Sequence, residues 1–216
     1  MYTLFAQGGP IMWPLLLTSL IALSVVIERA VFLLRQRRKA QPRLVASILT
    51  AVEAGRVDEA MNLAGNAQDP VANTLLRGLV GRHQSLTNAL LLGASEELKP
   101  FERGIAALDT IVTLAPFLGL LGTVTGMIRA FGLLGAQELG APIAITGGIA
   151  EALIATAFGL AIAIVSLVPL NILHATYQRM KQRIEMAGTT LELLLASTHA
   201  EERLTRAADA DPAYRA

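Results

Sequence analysis

The sequence predicts an all-α integral membrane protein. It has three transmembrane helices, an outer N-terminus, an inner C-terminus, and long helices extending into the cytoplasm. Three observations predict this class. Hydrophobic residues make up 53% of the 216-residue chain and charged residues 16%, and mean hydropathy is +0.52, a balance suited to lipid. Three stretches, 10–27, 110–128 and 152–173, carry no charge and are long enough to span. The basic residues are also sorted along the chain. Of 18 Lys and Arg, ten lie between Arg35 and Arg103 and six between Arg179 and Arg215, whereas segment 1–12 and connection 133–146 hold none. By the positive-inside rule, the N-terminus and that connection face outward, and the long middle segment and tail face inward.

The first stretch has 18 residues, bounded by Glu28 and Arg29. At about 1.5 Å per residue it covers roughly 27 Å, enough for the hydrocarbon core. Residues 1–27 contain no Lys or Arg, and no small-x-small cleavage site follows. The stretch is therefore expected to be a retained helix rather than a cleaved signal peptide, with Trp13 an interfacial anchor. The cluster Arg35, Arg37, Arg38 and Lys39 is its retention signal, and lipid binding is the alternative use of the same charges.

Residues 40–105 read as a helical cytoplasmic module. Leu44, Ile48, Leu49 and Val52 recur at helical spacing. Gly55 is a stop, and helix resumes over 57–64. A turn cluster at 66–70 precedes helices at 71–81 and 86–98, with Glu96 and Glu97 exposed. Pro100 is expected to kink or restart a helix running through 101–108 directly into the second span. Past the third span, 177–195 can continue as an amphipathic helix, and 207–216 reads as disordered. The resulting division is 1–33, 34–105, 106–173 and 174–216.

No Cys is present, which excludes disulfides, thiolate chemistry and Cys-based metal sites. There is no Gly-rich phosphate loop, metal-spaced His/Glu pair or nucleophile elbow. His83, His174 and His199 are isolated and expected at the surface. No enzymatic activity, cofactor or nucleic-acid partner is expected.

The chemistry concentrates in the paired second and third spans. Gly119, Gly122 and Gly126 share one face of the second, and Ala152, Ala155, Gly159 and Ala163 form a small-residue stripe on the third. Such stripes let helix backbones approach closely in lipid. Pro116 removes a backbone hydrogen bond and is expected to bend its helix. Thr123, Thr125 and Thr156 bring hydroxyls to a path otherwise apolar. Each could line an ion pathway or simply bond to a carbonyl one turn earlier. Glu151 has two readings: an intramembrane acid, or a first-turn acid at the outer interface, favoured by the helix dipole. Glu151 and Thr156 are five residues apart, about 140° around a helix, so they need not share a cavity. Asp109 and Arg129 bracket the second span and read as boundary charges, with Arg129 snorkelling outward. A monomer with three helices is too small to enclose a path, so an oligomer is implied.

Residues 114–128, LAPFLGLLGTVTGMI, and 147–160, GGIAEALIATAFGL, resemble the second- and third-span signatures of the ExbB/TolQ/MotA proton-channel family, most closely ExbB. The resemblance covers nearly the whole chain. It implies a homopentameric helical bundle in the cytoplasmic (cell inner) membrane of a bacterium with an outer membrane, around single-span partners of the ExbD or TolR type. It maps the ion pathway onto Thr123, Thr156 and Glu151. The partner would supply the protonatable Asp, and a periplasmic partner of the TonB or TolA type would pass work to the outer membrane. Membrane lipid is the surrounding partner. Thr125 and Arg129 depart from the family pattern. A TolQ-like stator and a non-conducting membrane scaffold are the alternatives.

Overall fold

A computed structural model of the chain describes residues 8–134 and 141–210, with side chains described over 8–132 and 146–198. All regular structure among the described residues is helical. The helices are α1 (Met12–Lys39), α2 (Pro42–Glu53), α3 (Val57–Gly65), α4 (Pro70–Glu102), α5 (Ile105–Leu134) and α6 (Ala141–Ala210). Helices α1, α5 and α6 are long and apolar enough to cross a membrane. The fold divides into two units. One holds the described residues up to Phe32 together with Arg103–Ala175, and the other holds Leu33–Glu102 with the chain from Thr176 onward.

The predicted helices are present apart from an unbroken one through 101–108, and several ends differ. The second and third spans belong to helices that run well past 110–128 and 152–173, α5 over Ile105–Leu134 and α6 over Ala141–Ala210. The expected passage of helix through 101–108 does not occur. Instead α4 ends at Glu102, and Gly104 at φ +81 turns the chain before α5, a backbone conformation that favours glycine. Pro100 sits inside the last turn of α4. The tail, expected to be disordered from 207, is helical to Ala210; residues 211–216 lie outside the described residues, as do 1–7 and 135–140 of the two segments free of Lys and Arg.

In the second unit, α2 packs on α3, α3 on α4, and α2 on α4. Helix α2 begins with Pro42 at its first position and ends in a Schellman turn. Arg56 N–H donates to Ala51 O at 2.8 Å and Gly55 N–H to Val52 O at 2.9 Å, with Gly55 at φ +72. The core is large and aliphatic: Ile48, Val52, Leu75 and Leu79 are fully buried.

Helix α4 is two arms. Ser85 is extended (φ −163, ψ 101), and the second arm folds back along the first. Leu90 lies against Gly78, and Asn73 Nδ2 donates to Glu97 Oε1 at 3.1 Å. Arg77 pairs with Glu96.

One cap escaped the sequence reading, which saw only a turn at 66–70. Asp69 is fully buried. Its Oδ1 accepts from Val71 N at 2.8 Å and its Oδ2 from Gln41 N at 2.6 Å. It thus caps α4, whose first residue is Pro70, and ties down the chain entering α2.

Candidate functional site

Within the first unit, α5 and α6 meet along a seam nearly without side chains. Glycine is required there by space rather than by conformation. A Cβ at Gly159 would lie 2.5 Å from Ala115 O and 3.0 Å from Gly119 Cα. At Gly119 it would lie 3.0 Å from Thr156 Cα, and at Gly126 it would lie 2.9 Å from Gly148 O. Gly122 packs directly on Ala155, and Gly148 on Ala130. The contacts step forward along α5 as they step backward along α6, so the helices run antiparallel. Ala152, Ala155 and Ala163 are buried along this stripe. Ser166, 3% exposed, extends the row and was not singled out from sequence.

The hydroxyls sit at or beside the seam. Thr156 Oγ1 donates across it to Gly119 O at 3.1 Å, sharing its proton with Ala152 O at 3.3 Å on its own helix. Thr123 Oγ1 donates to Leu120 O at 2.7 Å and Thr125 Oγ1 to Gly122 O at 3.1 Å. Thr123 is half-buried and lies one turn past Gly119. No hydrogen bond joins Thr123 to Thr156 among the described residues. Each hydroxyl uses its proton on a carbonyl and keeps acceptor lone pairs.

Glu151 has a partner. Arg129 Nη1 donates to Glu151 Oε1 at 2.8 Å, joining α5 to α6. The Glu151 side chain is 19% exposed and that of Arg129 48%. Gly9 lies against the carboxylate, in the space its own side chain would need. Two expectations change here. Glu151 is not a first-turn acid, because α6 begins ten residues earlier at Ala141. Arg129 is not merely a boundary charge but the carboxylate's ion-pair partner. Glu151 and Thr156 bond to different groups, one to a guanidinium and the other to backbone. The pair could have been read from sequence once the helix register was known. With Gly126 beside Ala152, Arg129 falls about one turn further along, opposite Glu151.

Asp109 is exposed, and its carbonyl accepts from Thr113 Oγ1 at 3.0 Å. Arg29, which bounds the first apolar stretch, is 6% exposed and stacks over Phe32 at 5.1 Å from the ring centroid. His83 and His174 are exposed, and the side chain of His199 lies outside the described residues. Among the described residues no group of three His, Asp or Glu side chains could hold a metal ion.

Three apolar helices, two of them joined by a glycine seam carrying hydroxyls and an ion pair, define an all-helical membrane protein. Residues 66–186, more than half of the chain, match the MotA/TolQ/ExbB proton channel family, and the chain belongs to that family. It is similar to an ExbB-like biopolymer transport protein of Synechocystis, 36% identical over 201 residues, which covers 88% of this chain and 77% of the relative. The ExbB biopolymer transport protein of Neisseria meningitidis is 28% identical over 209 residues, 88% of this chain and 94% of its own. The Tol-Pal system protein TolQ of Haemophilus influenzae is 35% identical over 94 residues, 44% of this chain and 41% of its own.

Proposed function

We propose that this chain is the channel-forming stator subunit of an ExbB-like motor. With an ExbD-type partner it converts proton motive force into mechanical work for TonB-dependent transport across an outer membrane. It works as a homopentamer in the cytoplasmic membrane of a bacterium, N-terminus out and C-terminus in, and has no enzymatic activity of its own. The partner carries the protonatable Asp, and a TonB-type protein takes the work across the periplasm. Thr123, Thr156 and Glu151 belong to the ion pathway of this reading.

The observation that carries it is the Thr156 hydroxyl, held between two carbonyls at a seam too tight for a methyl group. A backbone-anchored hydroxyl presents fixed acceptor lone pairs in a low-dielectric setting, which suits a water chain that relays protons. Glu151, already paired with Arg129, acts by charge and position rather than as the proton carrier.

Two other readings have specific support. The match to TolQ in part of the chain favours a Tol-type stator for envelope integrity. The internal satisfaction of all three hydroxyls favours a scaffold without conduction. Proton flux through the assembled complex with its partner, reconstituted in vesicles, separates these. Thr123→Val and Thr156→Val keep the shape and remove the hydroxyl. Loss of flux in either variant, with Thr156→Ser restoring it at that site, supports the channel; full flux in both removes it. The single-span chain that co-purifies in native mass spectrometry assigns the ExbD or TolR branch.

A further inference from the structure

A second polar constellation lies outside the hairpin, in a pocket of the second unit of about 200 Å³. Leu33 and Arg37 come from α1, one turn apart, and Arg179, Met180 and Arg183 come from one face of α6. Phe101, 4% exposed, and Met180, 8% exposed, supply an apolar floor. Three guanidinium groups thus share one small pocket, and no carboxylate lines it. Arg183 forms an ion pair with Asp69 at 3.7 Å, so its charge is met from within the chain. Arg37 and Arg179 form no ion pair among the described residues, and both are exposed. Two such guanidinium groups in one pocket, beside a third whose charge is already met, attract an anion.

Chain position narrows the anion. Leu33 and Arg179 each lie six residues beyond the last residue of a charge-free stretch. On a continuous helix that is roughly 9 Å past its end, about the depth of the headgroup layer. Guanidinium forks match phosphate oxygens two at a time, and an apolar floor beside them has no use for an inorganic ion.

We propose that this pocket binds the phosphodiester headgroup of an anionic phospholipid. Arg37 and Arg179 grip the phosphate, Arg183 stays on Asp69 at the pocket wall, and Leu33, Phe101 and Met180 receive the glycerol end. The site is independent of the channel reading and needs only that the chain span a membrane.

The test uses the assembled complex, exchanged into phosphatidylcholine nanodiscs containing phosphatidylglycerol and analysed by native mass spectrometry. Wild type is expected to retain phosphatidylglycerol in preference to phosphatidylcholine. The double variant R37Q/R179Q should retain roughly tenfold less or lower still, from the loss of two charges at a headgroup. R35Q/R38Q removes the same number of charges, both from α1 beside Arg37, but spares the pocket, and should retain lipid as wild type does. Ala40→Trp, at the pocket edge, fills the space without touching charge and should also lose the lipid; it decides the matter if R37Q/R179Q does not assemble. Equal retention in R37Q/R179Q, or equal loss in R35Q/R38Q, would overturn the proposal. Release of the lipid by millimolar inorganic phosphate would overturn it too, making the pocket a free-anion site.

Discussion

The seam between α5 and α6 and the core of α2, α3 and α4 solve the same problem in opposite ways. The module packs by filling space, with Ile48, Val52, Leu75 and Leu79 fully buried. The seam packs by leaving it out, with Gly159 against a carbonyl and Gly122 against Ala155. In water, burying large side chains drives association. In lipid that gain disappears, and close backbone contact with cross-helix hydrogen bonds takes over. The same chemical change should therefore have opposite consequences in the two regions.

The largest effect, loss of the folded complex, is expected for a branched side chain at Gly159. Adding a methyl places it 2.5 Å from a backbone oxygen, so a helix must move, at a cost of about 1–3 kcal/mol or more. Gly159→Val should abolish the folded complex, and Gly159→Ala should lower its thermal midpoint in detergent. Gly147, on the same helix, has nothing within 4 Å of an added Cβ. There Gly147→Ala should raise the midpoint, by up to about 1 kcal/mol of helix propensity. If the two alanine variants shift it alike, the seam is not packed as described.

In the module the sign reverses, and removing bulk does the damage. Leu75→Ala should cost about 2–5 kcal/mol through lost burial and the cavity left behind, read as a lower unfolding midpoint. Truncating Asp69 comes next. Asp69→Ala strips α4 of its cap and Gln41 of its acceptor, for about 1–2 kcal/mol. Hydrogen exchange should rise first at the amides of Gln41 and Val71.

The smallest effect on stability is expected at Arg129. The pair it makes with Glu151 is half-exposed on the arginine side, so Arg129→Gln should cost no more than about 1 kcal/mol. Exchanging the charges, with Arg129→Glu and Glu151→Arg together, should recover what either single change loses. A double variant no better than the worse single one would mean that the two side chains do not act as a pair.

Much of this was legible in the sequence, and what was not has a common cause. Charge-free stretches and basic clusters marked all three spans. Spacing marked both arms of α4 and the stop at Gly55. Composition cannot set where a helix ends, so α5 starts later than expected and runs past 128, while α6 begins well before 152 and continues beyond 195. Nor can it give register between helices, so Glu151 was read without Arg129. Asp69 was seen as a turn residue because its Gln41 partner is 28 positions away. The candidate pathway residues Thr123, Thr156 and Glu151 were assigned by resemblance to the family, whereas the hydrogen bonds they form required the fold.

The reversal at Ser85 has a practical consequence. Its neighbours His83 and Gln84 are exposed, and the extended backbone there carries the chain from one arm of α4 to the other. Exposed turns of this kind accept inserted sequence more readily than helix interiors do. A short epitope or a single labelling cysteine placed between His83 and Gln84, in a chain with no cysteine of its own, would report from the module while leaving the glycine seam untouched.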